Sequence, residues 1–357
     1  MFVKVSLHYV GLVKSSNGVL SALGAAMVFG AATPFSKRLG TGVNPQVFAG
    51  LLYLGSGLVL GATLLIRPTG EREASLRKSD RIPLTLAVVF GGMLGPLLLL
   101  IGLRTTPAAT ASLLLNLEAV FTALGAWFII KEHADARIVV GMIVIVAAAA
   151  MLSFEPGHGF TLTKGAGAIA AACLCWGIDN VATRPLSLRD PRQIACVKGI
   201  VAGSANVGLG LAIGGHLPHL GRALAAMLVG FLGYGLSLVL YIRALRSLGA
   251  ARTGAYYAAA PFVGSAIALV WLRESVGRFY VPALGLMAIG LAIHLTERHE
   301  HDHLHSPLAH AHRHYHEDAH HRHDVATASS DAAEHLHEPV AHRHGHTPDD
   351  HHLHEHE

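Results

Sequence analysis

Residues 107–132 read PAATASLLLNLEAVFTALGAWFIIKE, and a stretch of the same character, GAARTGAYYAAAPFVGSAIALVWLRE, occupies residues 249–274. A shift of 142 positions superimposes the two stretches and places Lys131-Glu132 on Arg273-Glu274. A second shift, of 147 positions, gives further matches: Gly18 with Gly165, Gly30 with Gly177, Lys37 with Arg184 and Leu39 with Leu186. The matches indicate that the chain contains two related halves.

Apolar segments long enough to cross a bilayer recur along both halves. A crossing helix needs about 20 mostly apolar residues. Ten stretches meet this requirement: residues 18–36, 45–66, 83–103, 107–130, 138–154, 165–183, 193–213, 223–242, 253–272 and 279–296. Because each half contributes five helices, an odd number, the second half enters the membrane from the opposite face. The sequence predicts an all-α membrane protein whose ten transmembrane helices form two inverted five-helix repeats.

The sequence predicts four regions: an N-terminus at residues 1–17, a first repeat at 18–154, a second repeat at 165–296 and a histidine-rich tail at 299–357. Positive charge is unevenly distributed between the two sides of the predicted membrane body. If the N-terminus is cytoplasmic, the inside segments carry 16 Lys and Arg residues and the opposite loops carry seven. Cytoplasmic loops carry an excess of these residues. We therefore expect an integral protein of the bacterial inner membrane with both termini in the cytoplasm. The expected partner is the lipid bilayer. Nucleic-acid binding is not expected, because the sequence has no basic patch with interleaved aromatic residues.

Short motifs in both halves resemble one transporter family. Phe29-Gly30 and Trp176-Gly177 lie in the first helix of each half, and the basic-Glu pairs Lys131-Glu132 and Arg273-Glu274 end each fourth helix. Over residues 18–296 this combination resembles the drug/metabolite transporter superfamily, specifically its EamA-type members. The resemblance implies a ten-helix carrier that exports small metabolites, with a central cavity between the halves walled mainly by helices 1, 3, 4, 6, 8 and 9.

One position departs from that family's pattern and draws attention to Glu118. Pro261 in the ninth helix fits the family's habitual proline, but its counterpart in the first half is Ala119, preceded by Glu118. An uncompensated charge in the middle of a helix costs about 2.5–3.5 kcal/mol on insertion scales. Glu118 could contact a substrate amine, bind a cation or carry a proton. A hydrogen bond between helices is the structural alternative.

Further polar side chains lie in other predicted spans. Asp179 and Asn180 either line the pathway or cap structure near one interface, and Lys198 or Arg184 could pair with Asp179. Lys198 could instead extend its ammonium to the interface. Tyrosines offer polar tips for a small solute, although they also serve as packing or interfacial residues. The predicted substrate pathway comprises Glu118, Asn116, Asp179, Asn180, Trp176, Lys198, Tyr234, Tyr256 and Tyr257.

The tail holds 20 of the chain's 26 histidines. A 32-residue duplication relates residues 303–307 to 335–339 and residues 309–314 to 341–346. Neutral imidazole suits zinc, nickel, cobalt and copper. We expect a disordered arm that wraps a divalent metal ion, with a merely solubilising tail as the alternative. The candidate ligands are His301, His303, His305, His310, His312, His314, His316, His320, His321, His323, His335, His337, His342, His344, His346, His351, His352, His354 and His356.

These features favour a secondary transporter that exports small metabolites by alternating access and carries a metal-binding cytosolic tail. The alternatives are a divalent metal exporter for Ni, Co or Zn with a histidine capture arm, and a membrane-anchored metal sensor or store. No HExxH or GxSxG motif occurs, so an enzyme is not expected. No cofactor is required, although the tail could hold Zn, Ni or Co. The substrate is a small molecule or a cation, and a homodimer is compatible with the sequence.

Overall fold

The structure, a computed structural model, consists mainly of helices. It describes residues 2–66, 74–130, 136–155, 159–160, 163–186, 189–248, 250–295, 299–304, 309–311, 334–336 and 341–346. The α-helices within these ranges are α1 (Phe2–Gly40), α2 (Pro45–Leu65), α3 (Arg81–Leu86), α4 (Gly95–Leu103), α5 (Ala108–Leu114), α6 (Leu117–Gly125), α7 (Ala136–Leu152), α8 (Lys164–Thr183), α9 (Pro191–Ala212), α10 (Leu220–Gly230), α11 (Ser237–Leu248), α12 (Ala250–Tyr257), α13 (Ala260–Trp271) and α14 (Tyr280–Leu295). Short 3-10 helices occupy Lys78–Asp80 and Arg184–Leu186, and π-helical segments occupy Ala87–Leu94, Ala126–Ile130 and Phe231–Leu236.

The helical body has the apolar lengths that a membrane protein needs. Within the described residues, seven helical stretches are long and apolar enough to cross a bilayer: Gly18–Gly40, Pro45–Leu65, Lys78–Leu103, Ala108–Ile129, Lys164–Leu186, Pro191–Ala212 and Leu220–Ala244. Three further apolar helices are shorter: Ala136–Leu152, Ala260–Trp271 and Tyr280–Ile293. The predicted helical membrane body is confirmed. Helix α1 begins at Phe2, well before residue 18, where the sequence predicts the first crossing to begin.

The fourth helix of each half is broken, whereas the sequence predicts continuous helices at 107–130 and 253–272. In the first half the break separates α5 from α6, and the Asn116 side-chain amide donates a hydrogen bond to the Leu113 carbonyl at 2.9 Å. Asparagine side chains compete with regular helix bonding in this way. In the second half the break separates α12 from α13, and Pro261 lies in the first turn of α13. Proline lacks an N–H group, so it begins a helix more readily than it continues one.

A second irregularity recurs in the third helix of each half. A π-helical segment, Ala87–Leu94, joins α3 to α4, and another, Phe231–Leu236, joins α10 to α11. The shift of 142 positions superimposes the two segments and places Gly91 on Gly233. A π-helical turn interrupts the regular i→i−4 hydrogen bonds, and such turns are frequent at functional sites. The two halves therefore share these two departures from α-helix, whereas the π-helical segment Ala126–Ile130 occurs in the first half alone among the described residues.

Helices α2 and α9 join the two halves through close contacts at glycine. A Cβ atom on Gly57 would lie 2.5 Å from the Ile200 amide nitrogen, and one on Gly203 would lie 2.7 Å from the Leu54 amide nitrogen. Helix α7 packs against α14, and the contacts of α1 with α11 and α13 are matched by those of α8 with α4 and α6. The first helix of each half thus packs against the third and fourth helices of the other half, as expected of two related halves.

Short strands form antiparallel pairs outside the bundle. Strand β1 (Phe154–Glu155) pairs with β2 (Gly159–Phe160). In the tail, β3 (His299–Leu304) pairs with β6 (Ala341–His346), and β4 (Ala309–Ala311) pairs with β5 (Glu334–Leu336). Histidine at every second position has the two-residue period of a strand. The other tail residues lie outside the described part of the chain, so the disorder of the tail stays a prediction.

Replacement of Gly203 by Ala is expected to destabilise the body, because the added methyl group meets the backbone of α2. Overpacking of this kind costs about 1–3 kcal/mol. The measurement is the thermal unfolding midpoint of the purified protein in detergent. Gly208→Ala is the matched control, since Gly208 also lies in α9 and its Cβ would have no heavy atom within 4 Å. Equal midpoints for the two variants would contradict the close approach of α2 and α9.

Candidate functional site

Glu118 lies in the first turn of α6, directly after the break in the fourth helix. Asn180 of α8 donates its amide hydrogens to Glu118 Oε1 at 2.9 Å and to Thr122 Oγ1 at 3.0 Å. Among the side chains that the structure describes, no Lys or Arg forms an ion pair with Glu118, and its Oε2 accepts no hydrogen bond. The carboxylate is therefore fixed through one oxygen, and its other oxygen is available to a ligand.

An ion pair lies beside this carboxylate. Asp179 of α8 pairs with Lys198 of α9, and both side chains are almost buried, at 10% and 13% exposure. The Thr183 hydroxyl donates a further hydrogen bond to Asp179 at 3.0 Å. Charges removed from water require such close pairing, because desolvation otherwise exceeds the Coulomb attraction. A Cβ atom on Gly91 would collide with the Asp179 carboxylate, so glycine at that position leaves room for the pair.

The π-helical segment Ala87–Leu94 supplies a carbonyl group to the same region. The Gly91 carbonyl accepts hydrogen bonds from the Tyr53 hydroxyl at 2.6 Å and from the Trp176 indole N–H at 3.1 Å. The Asn206 amide lies 3.4 Å from the carbonyl oxygens of Gly92 and Met93. Side chains from α2, α8 and α9 therefore stabilise the irregular backbone of the third helix.

A row of aromatic rings continues from Tyr53. Its ring centroid lies 5.2 Å from that of Tyr234, and Phe29 lies between Tyr234 at 6.2 Å and Tyr257 at 5.6 Å. Tyr241 ends the row, 4.8 Å from Tyr257. The Tyr53 hydroxyl bonds to the Gly91 carbonyl, and a Cβ atom on Gly91 would collide with the Asp179 carboxylate, so the row begins beside the ion pair. The rings and the carboxylate therefore belong to one region of the bundle.

A second polar cluster joins helix ends on one side of the bundle. Glu274 accepts hydrogen bonds from the backbone N–H groups of Ala108 and Ala109, each at 2.9 Å, at the start of α5. Lys37 lies 3.3 Å from the Glu274 carboxylate and donates a hydrogen bond to the Thr106 carbonyl at 2.6 Å. A carboxylate at a helix N-terminus satisfies orphan N–H groups and interacts favourably with the helix dipole. The cluster thus ties the ends of the first, fourth and ninth helices together.

The structure brings most of the predicted pathway residues together. Seven of the nine predicted residues contribute to the charged, carbonyl-binding or aromatic groups described above: Glu118, Asn180, Asp179, Lys198, Trp176, Tyr234 and Tyr257. Asn116 is buried and bonds to its own helix, and the Tyr256 side chain is exposed.

The sequence analysis did not identify Phe29 as a ring of the aromatic row. It also did not identify Tyr53, Thr122, Tyr241, Lys37 and Glu274 as site residues. For Glu274 the repeated basic-Glu ends were the available signal, and for Lys37 its match with Arg184, whereas Tyr53 lies in an apolar helix without any motif.

The predicted metal ligands of the tail have only partly described positions. The backbone is described for His301, His303, His310, His335, His342, His344 and His346. The other candidates lie outside the described residues: His305, His312, His314, His316, His320, His321, His323, His337, His351, His352, His354 and His356. Among the described side chains, no group of three His, Cys, Asp or Glu residues could hold a metal ion. The part of the chain described in full therefore offers the substrate pathway, and not a metal centre, as the candidate site.

Known proteins resemble this chain over both halves. The sequence profile of the EamA-like transporter family matches residues 16–154 and 163–296. A protein of Methanothermobacter thermautotrophicus described as an uncharacterized transporter is 29% identical over 277 residues, which cover 72% of this chain and 80% of that protein. A crystal structure with 18% identity superimposes with a TM-score of 0.59 and covers 77% of this chain and 94% of its own. That last likeness concerns the fold alone.

Replacement of Glu274 by Ala is expected to loosen the start of α5, because this helix loses the carboxylate that accepts its first N–H groups. Loss of a helix cap costs about 0.5–2 kcal/mol. Backbone amides of residues 108–111 should exchange faster with deuterium, as hydrogen-exchange mass spectrometry would show. Arg278→Ala is the control, since this exposed side chain contacts the ring of Phe279 and not α5. Unchanged exchange in Glu274→Ala would be inconsistent with the capping contact.

Proposed function

The chain belongs to the EamA-like transporter family, and we propose that it is a secondary transporter that exports a small metabolite by alternating access. In this proposal ten crossings form two inverted five-helix repeats, both termini are cytoplasmic, and the substrate passes through a cavity between the halves. The family membership supports membrane transport in general. Export and the central cavity are what the resemblance to this family implies, and the class of solute rests on the arrangement of polar side chains.

The observation that carries the proposal is the set of ionisable groups between α6, α8 and α9. Glu118, Asp179 and Lys198 lie within apolar helical stretches that are long enough to cross a membrane. A charge at this depth costs several kcal/mol, about 2.5–3.5 on insertion scales, and such residues usually mark the path of a solute or ion. Glu118 bonds to Asn180 through one oxygen, and its other oxygen accepts no hydrogen bond from the described side chains.

The duplication suggests how the pathway could open to either side. In this proposal the cluster of Lys37, Glu274 and the start of α5 closes one end. The two sequence shifts match Lys37 with Arg184 and Glu274 with Glu132, which lies outside the described residues. We propose that Arg184 contributes to an equivalent closure at the other end. Alternating access then corresponds to exchange between two equivalent closures.

A divalent metal exporter with a capture arm is the second candidate. Its support is the register of the tail strands, which pairs His301 with His344, His303 with His342 and His310 with His335. Directly opposed residues share one face of an antiparallel pair, with Cβ atoms about 4.5–5.5 Å apart. A tethered arm of this kind would raise the local concentration of Zn²⁺, Ni²⁺ or Co²⁺ near the transport pathway.

Replacement of Glu118 by Gln is expected to reduce transport by about tenfold or more, because a charge-assisted contact is worth about 1.5–3 kcal/mol. The assay uses purified protein in sealed vesicles and first screens amino acids, nucleosides, amines and divalent metals. Asp190→Asn is the matched control. It also converts a carboxyl group to an amide. Asp190 caps α9, where Asn is favoured as strongly as Asp, but the change removes its ion pair with Arg192. Full and pH-independent flux in Glu118→Gln would exclude Glu118 as the recognition or coupling residue.

Removal of residues 299–357 separates the two candidate functions. If the chain exports an organic metabolite, the truncated protein should keep its flux in vesicles and lose Zn²⁺ binding measured by equilibrium dialysis. If it exports metal, the truncation should lower Zn²⁺ flux at low metal concentration, because the capture step is lost. Unchanged metal binding after truncation would contradict a role for the histidine arm in either case.

A further inference from the structure

The charged and aromatic groups of the pathway point to one substrate class. We propose that the site binds an amphipathic organic amine, a single ammonium group on an apolar or aromatic body that carries no carboxylate. This inference rests on the proposed transport function and specifies its substrate. The ammonium binds Glu118, and the apolar body lies along the row of rings from Tyr53 to Tyr241.

When the Glu118 carboxyl group is ionised, the site carries one net negative charge. Asn180, which follows Asp179 in α8, donates to Glu118 Oε1, so the carboxyl group lies close to the Asp179–Lys198 pair. The Lys198 ammonium is already held by Asp179, which leaves the Glu118 carboxylate as the uncompensated charge. A bound monovalent cation would neutralise the site, whereas an anion would meet a repulsive field. Glu118 Oε2 is the atom that accepts no hydrogen bond from the described side chains and is the natural acceptor for an ammonium N–H.

The aromatic row selects an organic cation over a bare metal ion. Tyr234, Phe29 and Tyr257 lie next to one another with centroid distances of 5.6–6.2 Å and are only partly buried. Aromatic faces attract ammonium groups and cover apolar bodies. A metal ion or Na⁺ instead needs several converging oxygen atoms. Asn180 directs its amide N–H groups, which are donors, towards Glu118 and Thr122, so it does not complete such a shell.

A zwitterion fits this site less well than an amine does. The carboxylate of an amino acid would need a cation of its own, and the nearby Lys198 is engaged in a close ion pair with Asp179. Freeing Lys198 would leave Asp179 buried without its partner, and breaking a buried pair is strongly unfavourable. The site should therefore discriminate between an amine and the amino acid with the same side chain.

Binding of a matched series of compounds tests this selectivity. The probes are 2-phenylethylamine, its permanently charged trimethylammonium analogue, phenylalanine and 3-phenylpropionate, which share one aromatic body and differ in charge. Isothermal titration calorimetry on the full chain in lipid nanodiscs measures each Kd. Both cations are expected to bind at least about tenfold more tightly than phenylalanine does, and 3-phenylpropionate is expected to bind most weakly.

Variants connect the selectivity to the proposed groups. Glu118→Gln should weaken binding of both cations about tenfold or more, although the Gln amide oxygen can still accept the bond from Asn180. Glu118→Asp keeps the charge and should retain most of the affinity. Tyr257→Leu should weaken the trimethylammonium probe about three- to tenfold, while Tyr257→Phe, which keeps the ring, should not.

The outcomes distinguish the substrate inference from the transport proposal. Phenylalanine binding as tight as that of the amine, or cation binding unaffected by Glu118→Gln, would overturn the amine assignment even if vesicles transport another solute. Full displacement of the amine by NaCl, but not by N-methylglucamine chloride at the same ionic strength, would likewise overturn it in favour of a sodium site. Selective amine binding without amine flux in sealed vesicles would support the site and overturn the transporter proposal.

Discussion

The structure depends on hydrogen-bond partners for backbone groups that leave the regular helical pattern. Inside a bilayer no water is available, so irregular backbone is tolerated only where other protein groups satisfy it or where it lines a cavity. Here the broken fourth helix is supported by Asn116, and the π-helical carbonyl of Gly91 is supported by Tyr53 and Trp176. Tyr53 and Trp176 also border the aromatic row and the ion pair. The same side chains thus allow the irregular backbone and shape the candidate pathway.

Close helix contacts explain the glycine motifs that recur in the two halves. A Cβ atom on Gly177 would lie 2.8 Å from the Cβ of Phe121 in α6, and one on Gly30 would collide with the carbonyl of Ala260 in α13. Each glycine therefore lets the first helix of one half approach the broken helix of the other. The aromatic residue before each glycine, Phe29 or Trp176, contributes to the site. One dipeptide thus serves packing and also places an aromatic ring in the candidate site.

The sequence predicts the apolar spans and the two related halves because both properties extend over many residues. It misses the breaks because hydropathy averages over about 20 residues, whereas a break depends on local bonds such as that of Asn116. The ionisable residues Glu118 and Asp179 can be identified because charge in an apolar helix is costly. Tyr53 is missed for the opposite reason, since an aromatic ring in an apolar helix has the composition of ordinary packing. The pairing of Lys37 with Glu274 joins distant parts of the chain, which a single sequence does not reveal.

The sequences of the two halves have diverged at the residues of the candidate site. Under the two shifts Glu118 is matched by Ala260, Asp179 by Ala32 and Lys198 by Leu51, so the counterparts of the charged groups are apolar. Trp176 is matched by Phe29, which belongs to the aromatic row. Charge therefore lies in α6, α8 and α9, whereas the aromatic row draws its rings from α1, α2, α11, α12 and the π-helical segment Phe231–Leu236. Charged and aromatic groups on different helices suit the solute that we propose, which is charged at one end and apolar at the other, because each group complements one part of it.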